Sequence, residues 1–223
     1  MKNTILLISI FLITSLSFLF YQPTKENKSF VRSKVNHSKL VVKKEINKKV
    51  VMILPLGDVK PEYLKLVKNS VESFYGFECA IKPKVNLTND LLTKSKTRYS
   101  ADKILDKFKT KENLLIITEK DIATKKGNYE EWGILGLGQW PGNICVISTF
   151  RMKKNVSVEV LYDRIEKVSL HEIGHNLGLD HCGYHIECLM NDAKGTIKQV
   201  DREKKWLCQK CCELIKVTFV KKS

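Results

Sequence analysis

The chain has 223 residues, room for one domain with a real hydrophobic core and at most an extension beside it. Apolar residues make up 43%, the ordinary share of a globular protein, while 39 basic against 24 acidic side chains leave a net charge of +15. That excess is uneven: residues 1–49 hold ten Lys or Arg and only Glu26 and Glu45 as acids. The basic arm has little aromatic interleaving and no binding motif beside it, so no nucleic-acid partner is expected, whereas anionic lipid head groups suit it.

Residues 4–21, TILLISIFLITSLSFLFY, are uncharged and almost wholly apolar behind Lys2. They read as a signal peptide or as an N-terminal membrane anchor, so the chain is expected to be membrane-associated or exported. The first cysteine is Cys79, which excludes a lipidated N-terminal cysteine. Lys25, Lys28, Arg32 and Lys34 follow the apolar run; if the segment is retained, that bias keeps the domain on the cytoplasmic side, and if it is cleaved the domain is exported. Residues 22–48 are polar and basic and read as a linker, with the folded domain over 49–223.

VVMILPL at 50–56 is a continuous apolar run, the pattern of a buried strand. Pro61 opens a helical pattern with Leu64, Val67, Val71 and Phe74 on one face, and Gly76 closes it. CAIKPKV at 79–85 is a second strand, residues 86–99 read as loop, and Ser100 caps a short helix carrying Ile104, Leu105 and Phe108. NLLIITE at 113–119 is a third strand; WGILGLG at 132–138 is extended and glycine-rich; ICVIST at 144–149 follows a Pro141-Gly142 turn. Strands alternating with helices predict a mixed α/β sheet. Residues 157–178 predict one long helix capped by Ser157, with apolar residues on two sides, hence buried. A last helix is expected over 196–215 from Ile197, Val200, Leu207, Cys211 and Leu214.

The chemistry concentrates in HEIGHNLGLDHCGYHIECLM, residues 171–190. His171 and His175 are one helical turn apart, so both imidazoles can reach a single Zn²⁺ at about 2.0–2.1 Å. A helix cannot supply a third ligand at the right angle, but Gly178 permits a sharp turn that returns His181 to the metal. Three protein ligands leave a fourth position open, the mark of a catalytic zinc. Glu172 lies about 100° round the helix, too far to be the natural ligand but able to take a proton from a zinc-bound water and pass it to a leaving amine. A chance match to HExxHxxGxxH in a chain of this length is on the order of 10⁻⁵.

The seven cysteines are odd in number and not spaced as a disulfide framework. Cys182, Cys188, Cys208 and Cys211 suit a closed Cys₄ structural zinc, against the alternatives of a redox Cys-x-x-Cys, which lacks its βαβ context, and two disulfides. Cys212 reads as a bystander, His185 as an exposed loop residue, and Cys79 and Cys145 as buried thiols.

Together these residues resemble one family. HExxHxxGxxH followed by a methionine is similar to the metzincin clan of zinc peptidases. Cys182 directly after the third histidine, then Cys188-Leu189-Met190 and Cys208-x-x-Cys211, resembles the archaemetzincins, although that family usually has four residues between the first two cysteines and here there are five. The resemblance covers about residues 49–215. It implies an α/β, metzincin-like fold: a mixed twisted sheet, a long active-site helix, a Met-turn at Met190 and a C-terminal helix. It implies WGILGLG as the edge strand beside which a substrate lies extended, and Ser148 and Arg151 at recurring polar positions of the next strand. The expected activity is zinc-dependent peptide hydrolysis by a monomer, with two zinc ions and a peptide or protein substrate. The competing readings are a catalytically silent, zinc-stabilised peptide- or partner-binding protein, and a zinc hydrolase of non-peptide substrates.

Overall fold

The computed structural model describes residues 40–42, 49–215 and 219–221. In chain order the elements are β1 (Leu40–Val42), β2 (Val50–Pro55), α1 (Pro61–Tyr75), β3 (Glu78–Ile81), β4 (Tyr99–Ser100), α2 (Ala101–Lys107), β5 (Asn113–Thr118) and β6 (Ile122–Lys126). There follow β7 (Tyr129–Ile134), β8 (Gly136–Gly138), β9 (Ile144–Ser148), α3 (Val158–Asn176), α4 (Ile197–Arg202), α5 (Gln209–Leu214) and β10 (Phe219–Lys221).

The continuous apolar runs become the centre of a five-stranded sheet ordered β3-β2-β5-β9-β8. Its first four strands are parallel and β8 is antiparallel at the edge. Both faces are covered, which is why β5 and β9 carry no polar alternation. Ile53, Leu115, Ile117, Cys145 and Ile147 face a core shared with α1 and α3; Leu54, Leu114, Ile116, Ile144 and Val146 face a second core with α2.

The helix boundaries follow the residues expected to set them. Pro61 stands at the start of α1 and Gly76 closes it in the left-handed conformation at φ 70°. Ser100 accepts from Lys103 N at 3.3 Å, and Ser157 accepts from Val160 N at 3.4 Å. Helix α3 is buried along Leu161, Ile165, Val168, Leu170 and Ile173, as its two apolar faces required.

Four details correct or extend the sequence reading. The predicted helix over 196–215 is two short helices, α4 and α5, separated by an extended segment. That segment is claimed by other partners: Lys204 N bonds Glu187 O at 2.9 Å and Leu189 N bonds Trp206 O at 2.8 Å. The cross-links bring Cys208 beside Cys188, and helical periodicity in the sequence yields to them. Second, β3 ends at Ile81, short of the predicted Val85; Pro83 cannot donate to the ladder, and only Val85 returns, bridged to Leu56. Third, β6 and β7 form an antiparallel hairpin that joins β4 in a separate three-stranded sheet. Two strands flanking Gly127-Asn128 are a recognisable hairpin signal that the reading passed over. Fourth, Leu40–Val42, inside the expected linker, pair antiparallel with Phe219–Lys221. The apolar segment 4–21 and the rest of the arm lie outside the described residues. Among the described residues no helix is long and apolar enough to cross a membrane.

Candidate active site

His171, Glu172 and His175 project from the last turns of α3, and three features fix that end of the helix. Gly178 takes φ 91°, a conformation that L side chains rarely adopt, and the chain reverses there. Leu179 N bonds Gly174 O at 3.0 Å, and Cys182 N bonds Met190 O at 2.7 Å, which anchors the returning strand of the turn. The three imidazoles then face one another, with ring centroids 4.7 Å apart for His171–His175, 5.5 Å for His171–His181 and 4.9 Å for His175–His181. Their nearest ring nitrogens lie within 4.8 Å of one another.

Hydrogen bonds decide which nitrogen is free. His171 Nδ1 lies 2.7 Å from Leu189 O and His175 Nδ1 lies 2.8 Å from Leu179 O. A carbonyl only accepts, so Nδ1 carries the proton in both rings and Nε2 keeps its lone pair. Burial and the neighbouring His175 push His171 down to about 3, and burial lowers His175 as well, so both rings are neutral at physiological pH. Neutral imidazoles with Nε2 free are the form a zinc ion requires, and His181, exposed on the turn, leaves the cluster open to solvent.

Glu172, next in sequence to His171 and so about 100° further round the helix, is 6% exposed and packs against β8, where the Gly138 Cβ position would lie 3.2 Å from both its Oε2 and His175 Cβ. Burial pushes its carboxyl up to about 8, while the Gly138 N–H, donating to it, works the other way. A proton acceptor tuned close to neutrality is what general-base chemistry uses, and a divalent cation nearby favours its ionised form. The strand beside it has to be glycine. A Cβ on Gly136 would fall 2.5 Å from Glu172 Oε1, and one on Gly138 would fall 2.8 Å from Glu172 O.

Beneath the histidines lies Met190, fully buried. It packs on Gly174, where a Cβ would meet Met190 Sδ at 2.5 Å and Tyr75 Oη at 3.3 Å. Tyr75 in turn donates to Leu170 O at 2.8 Å. Gly174 and Tyr75 were not singled out from the sequence. Gly174 occupies a position of the HExxH helix that accepts almost any residue on helix grounds, and only the methionine's approach demands glycine.

The four cysteines form a second cluster immediately behind. Sγ–Sγ separations are 3.6 Å for Cys182–Cys208, 3.6 Å for Cys208–Cys211 and 3.8 Å for Cys188–Cys211. A disulfide needs about 2.05 Å, so the disulfide alternative fails. Four sulfurs at about 2.3 Å from one tetrahedral zinc stand about 3.8 Å apart, which matches. Backbone N–H groups of Tyr184 and Cys208 point at Cys182 Sγ and Cys188 Sγ, both at 3.4 Å, and such bonds favour thiolates. Burial and the other sulfurs push Cys188 up to about 12 and raise Cys211 further, so the group cannot ionise together without a cation among the sulfurs. All four are buried, unlike the histidines.

The remaining expected residues separate cleanly. Cys212 Sγ turns away to Leu207 O at 3.5 Å, His185 is exposed and edge-on to Trp206 at 4.8 Å, and Cys79 and Cys145 are buried free thiols. Ser148, the buried last residue of β9, donates to Lys120 O at 2.6 Å, and Arg151, in the turn after β9, clamps Asp121 at 2.7 and 2.9 Å.

A site of this shape can hold one divalent ion with a free side toward solvent, next to a buried proton acceptor. On this mixed sheet, that defines the class of metzincin-like zinc metallopeptidases. Comparison with known proteins makes the assignment specific. Residues 21–217 match Peptidase family M54, reaching further toward the N-terminus than the resemblance at 49–215. The archaemetzincin of Methanocaldococcus jannaschii is 30% identical over 167 residues, 72% of this chain and 89% of that protein. The archaemetzincin of Halobacterium salinarum is 29% identical over 170 residues, 71% of this chain and 95% of its own length. The crystal structure of archaemetzincin from Archaeoglobus fulgidus superposes with a TM-score of 0.66 at 27% identity, covering 74% of this chain and 99% of that one. That of Methanopyrus kandleri gives 0.64 at 25%, covering 76% and 94%. The chain belongs to Peptidase family M54, the archaemetzincins, and is a zinc metallopeptidase.

Proposed function

We propose that the chain hydrolyses peptide bonds with Glu172 as the group that moves the proton, at a zinc held by His171, His175 and His181. The observation that carries this reading is a buried carboxylate beside three imidazoles, two of which keep Nε2 free because their Nδ1 atoms are committed to backbone carbonyls. Zinc, when bound there, supplies Lewis acidity that polarises a carbonyl and acidifies water. Glu172 accepts the proton of the attacking water and returns it to the departing amine, with the Gly138 N–H holding its carboxylate. The outer edge of β8 offers backbone donors and acceptors to an extended peptide, which aligns the scissile bond over Glu172. Met190 and Gly174 form the floor on which the histidines rest.

The reading includes a second zinc, held by Cys182, Cys188, Cys208 and Cys211, with a structural role. Their burial and sulfur spacing support it. It also includes residues 4–21 as a signal peptide or membrane anchor, residues 22–48 as a basic connection, and a catalytic domain over 49–223 that works as a monomer at a membrane or outside it. Incubating wild type and Glu172→Gln with a diverse peptide pool, and reading new termini by mass spectrometry, tests the proton-transfer role. Cleavage by wild type alone, at equal zinc content, is expected; cleavage by both proteins would refute it.

A further inference from the structure

Beyond the edge strand lies a cleft of about 720 Å³ whose lining includes Arg98, Asp121, Phe150, Arg151, Lys153 and Lys154. Its charge is lopsided. Arg98 and Arg151 share the single carboxylate of Asp121, and Lys153 pairs with Glu119. Lys154 is exposed and has no ion-pair partner among the described residues. The Glu131 carboxylate also feels Arg98, so four cations face three carboxylates and one positive charge is left in excess. Asp121 occupies Nε and Nη2 of Arg151 and Nε of Arg98, while Arg98 Nη1 donates to Glu131 O at 2.9 Å. Both forks are therefore held in place, with Nη1 of Arg151 and Nη2 of Arg98 left as donors that no described protein group takes up.

The segment from β7 to β8, which bends at Leu135, measures how far this cleft is from the catalytic group. A Cβ on Gly133 would lie 2.0 Å from Arg151 Nη2, and a Cβ on Gly136 would lie 2.5 Å from Glu172 Oε1. Three residues of chain span at most roughly 10 Å, and less across the bend. A peptide laid along the outer edge of β8 therefore carries a side chain close to the guanidinium groups within about three residues of the bond at Glu172.

We infer that this basic cleft is a specificity subsite that takes a carboxylate of the peptide substrate, within about three residues of the scissile bond. The inference rests on the peptidase reading and adds a substrate class to it. Nη1 of Arg151 and Nη2 of Arg98, the donors that Asp121 and Glu131 O leave over, can each bond a carboxylate, and Lys154 adds a point charge. The carboxylate can come from an acidic side chain or from a free C-terminus reaching the same point; the net charge of +15 draws either in.

The test uses matched peptides that differ only in Glu against Gln at one of the three residues on either side of the cleaved bond, each position in turn, and in a C-terminal acid against a C-terminal amide. The first pair reports an acidic side chain, the second a chain terminus. Wild type is expected to favour the acid of one pair roughly ten- to hundredfold in kcat/KM. Lys154→Glu, on the surface and outside any packing, should cut that preference at least about threefold, whereas Lys65→Glu on the remote face of α1 should keep it. Equal rates for acid and amide in both pairs, or a preference untouched by Lys154→Glu, would overturn the inference while leaving the peptidase reading intact. If wild type cleaves none of the peptides, the peptidase reading fails on its own. Binding of the same pairs to the Glu172→Gln protein then decides the subsite, with equal Kd for acid and amide ruling it out.

Discussion

His181 and Cys182 are consecutive residues, yet they belong to clusters of opposite character. The histidine cluster is half-buried and open: two imidazoles come from a rigid helix, the third from an exposed turn, and a buried carboxylate lies alongside. The cysteine cluster is closed: all four sulfurs are buried, they sit at tetrahedral spacing, and they cross-connect the active-site turn to α5. One turn thus carries a histidine of the open cluster and, one residue later, a cysteine of the closed one. Which way the chain folds after Gly178 decides both, so the closed cluster sets the position of the open one.

Substitutions can break the comparison at either cluster. The largest expected effect is at the open one: Glu172→Gln lowers kcat about 10²–10⁴-fold, with zinc content and melting temperature unchanged, as read by peptide kinetics, metal analysis and calorimetry. At the closed one, Cys208→Ser exposes the reverse pattern. Stability falls by about 3 kcal/mol or more, seen as a drop in Tm of roughly 10 °C, because metal binding there is part of the folding free energy. Activity falls only as the turn loosens. A smaller effect tests the floor between the clusters. Gly174→Ala pushes a methyl group to 2.5 Å from Met190 Sδ, and overpacking of this kind costs about 1–3 kcal/mol in a denaturant titration. The smallest is a control. Cys212 points to Leu207 O and away from the sulfur cluster, so Cys212→Ser changes stability by less than about 1 kcal/mol and leaves the metal count alone.

The site was legible to an unusual degree because metal chemistry constrains spacing. The structure brings together the three histidines and the four thiols that the spacing grouped, and it turns the chain at Gly178. The parallel strands were legible because burial on both faces leaves uninterrupted apolar runs. What the sequence hid falls into two kinds. Some residues are set by an approach from elsewhere: Gly174 by Met190, Gly136 and Gly138 by Glu172, and Asp121 by two distant arginines. Nothing local announces such contacts. Other misses are cases where tertiary partners outweighed periodicity. The pattern over 196–215 is helical in spacing, but backbone bonds to Glu187 and Leu189 pull its middle straight so that Cys208 reaches Cys188. The β6–β7 hairpin was legible at Gly127-Asn128 and was passed over.

The contrast between an open and a closed cluster is tested most directly by stepwise chelation of the zinc-loaded protein, with metal content, peptide cleavage and circular dichroism followed on the same sample. Ligands on an exposed turn release their ion more readily than four buried thiolates. The account predicts that the first zinc to leave takes the activity with it while the fold persists, and that the fold is lost only with the second. Loss of both ions together with the fold, or activity that outlasts the first ion, would contradict it.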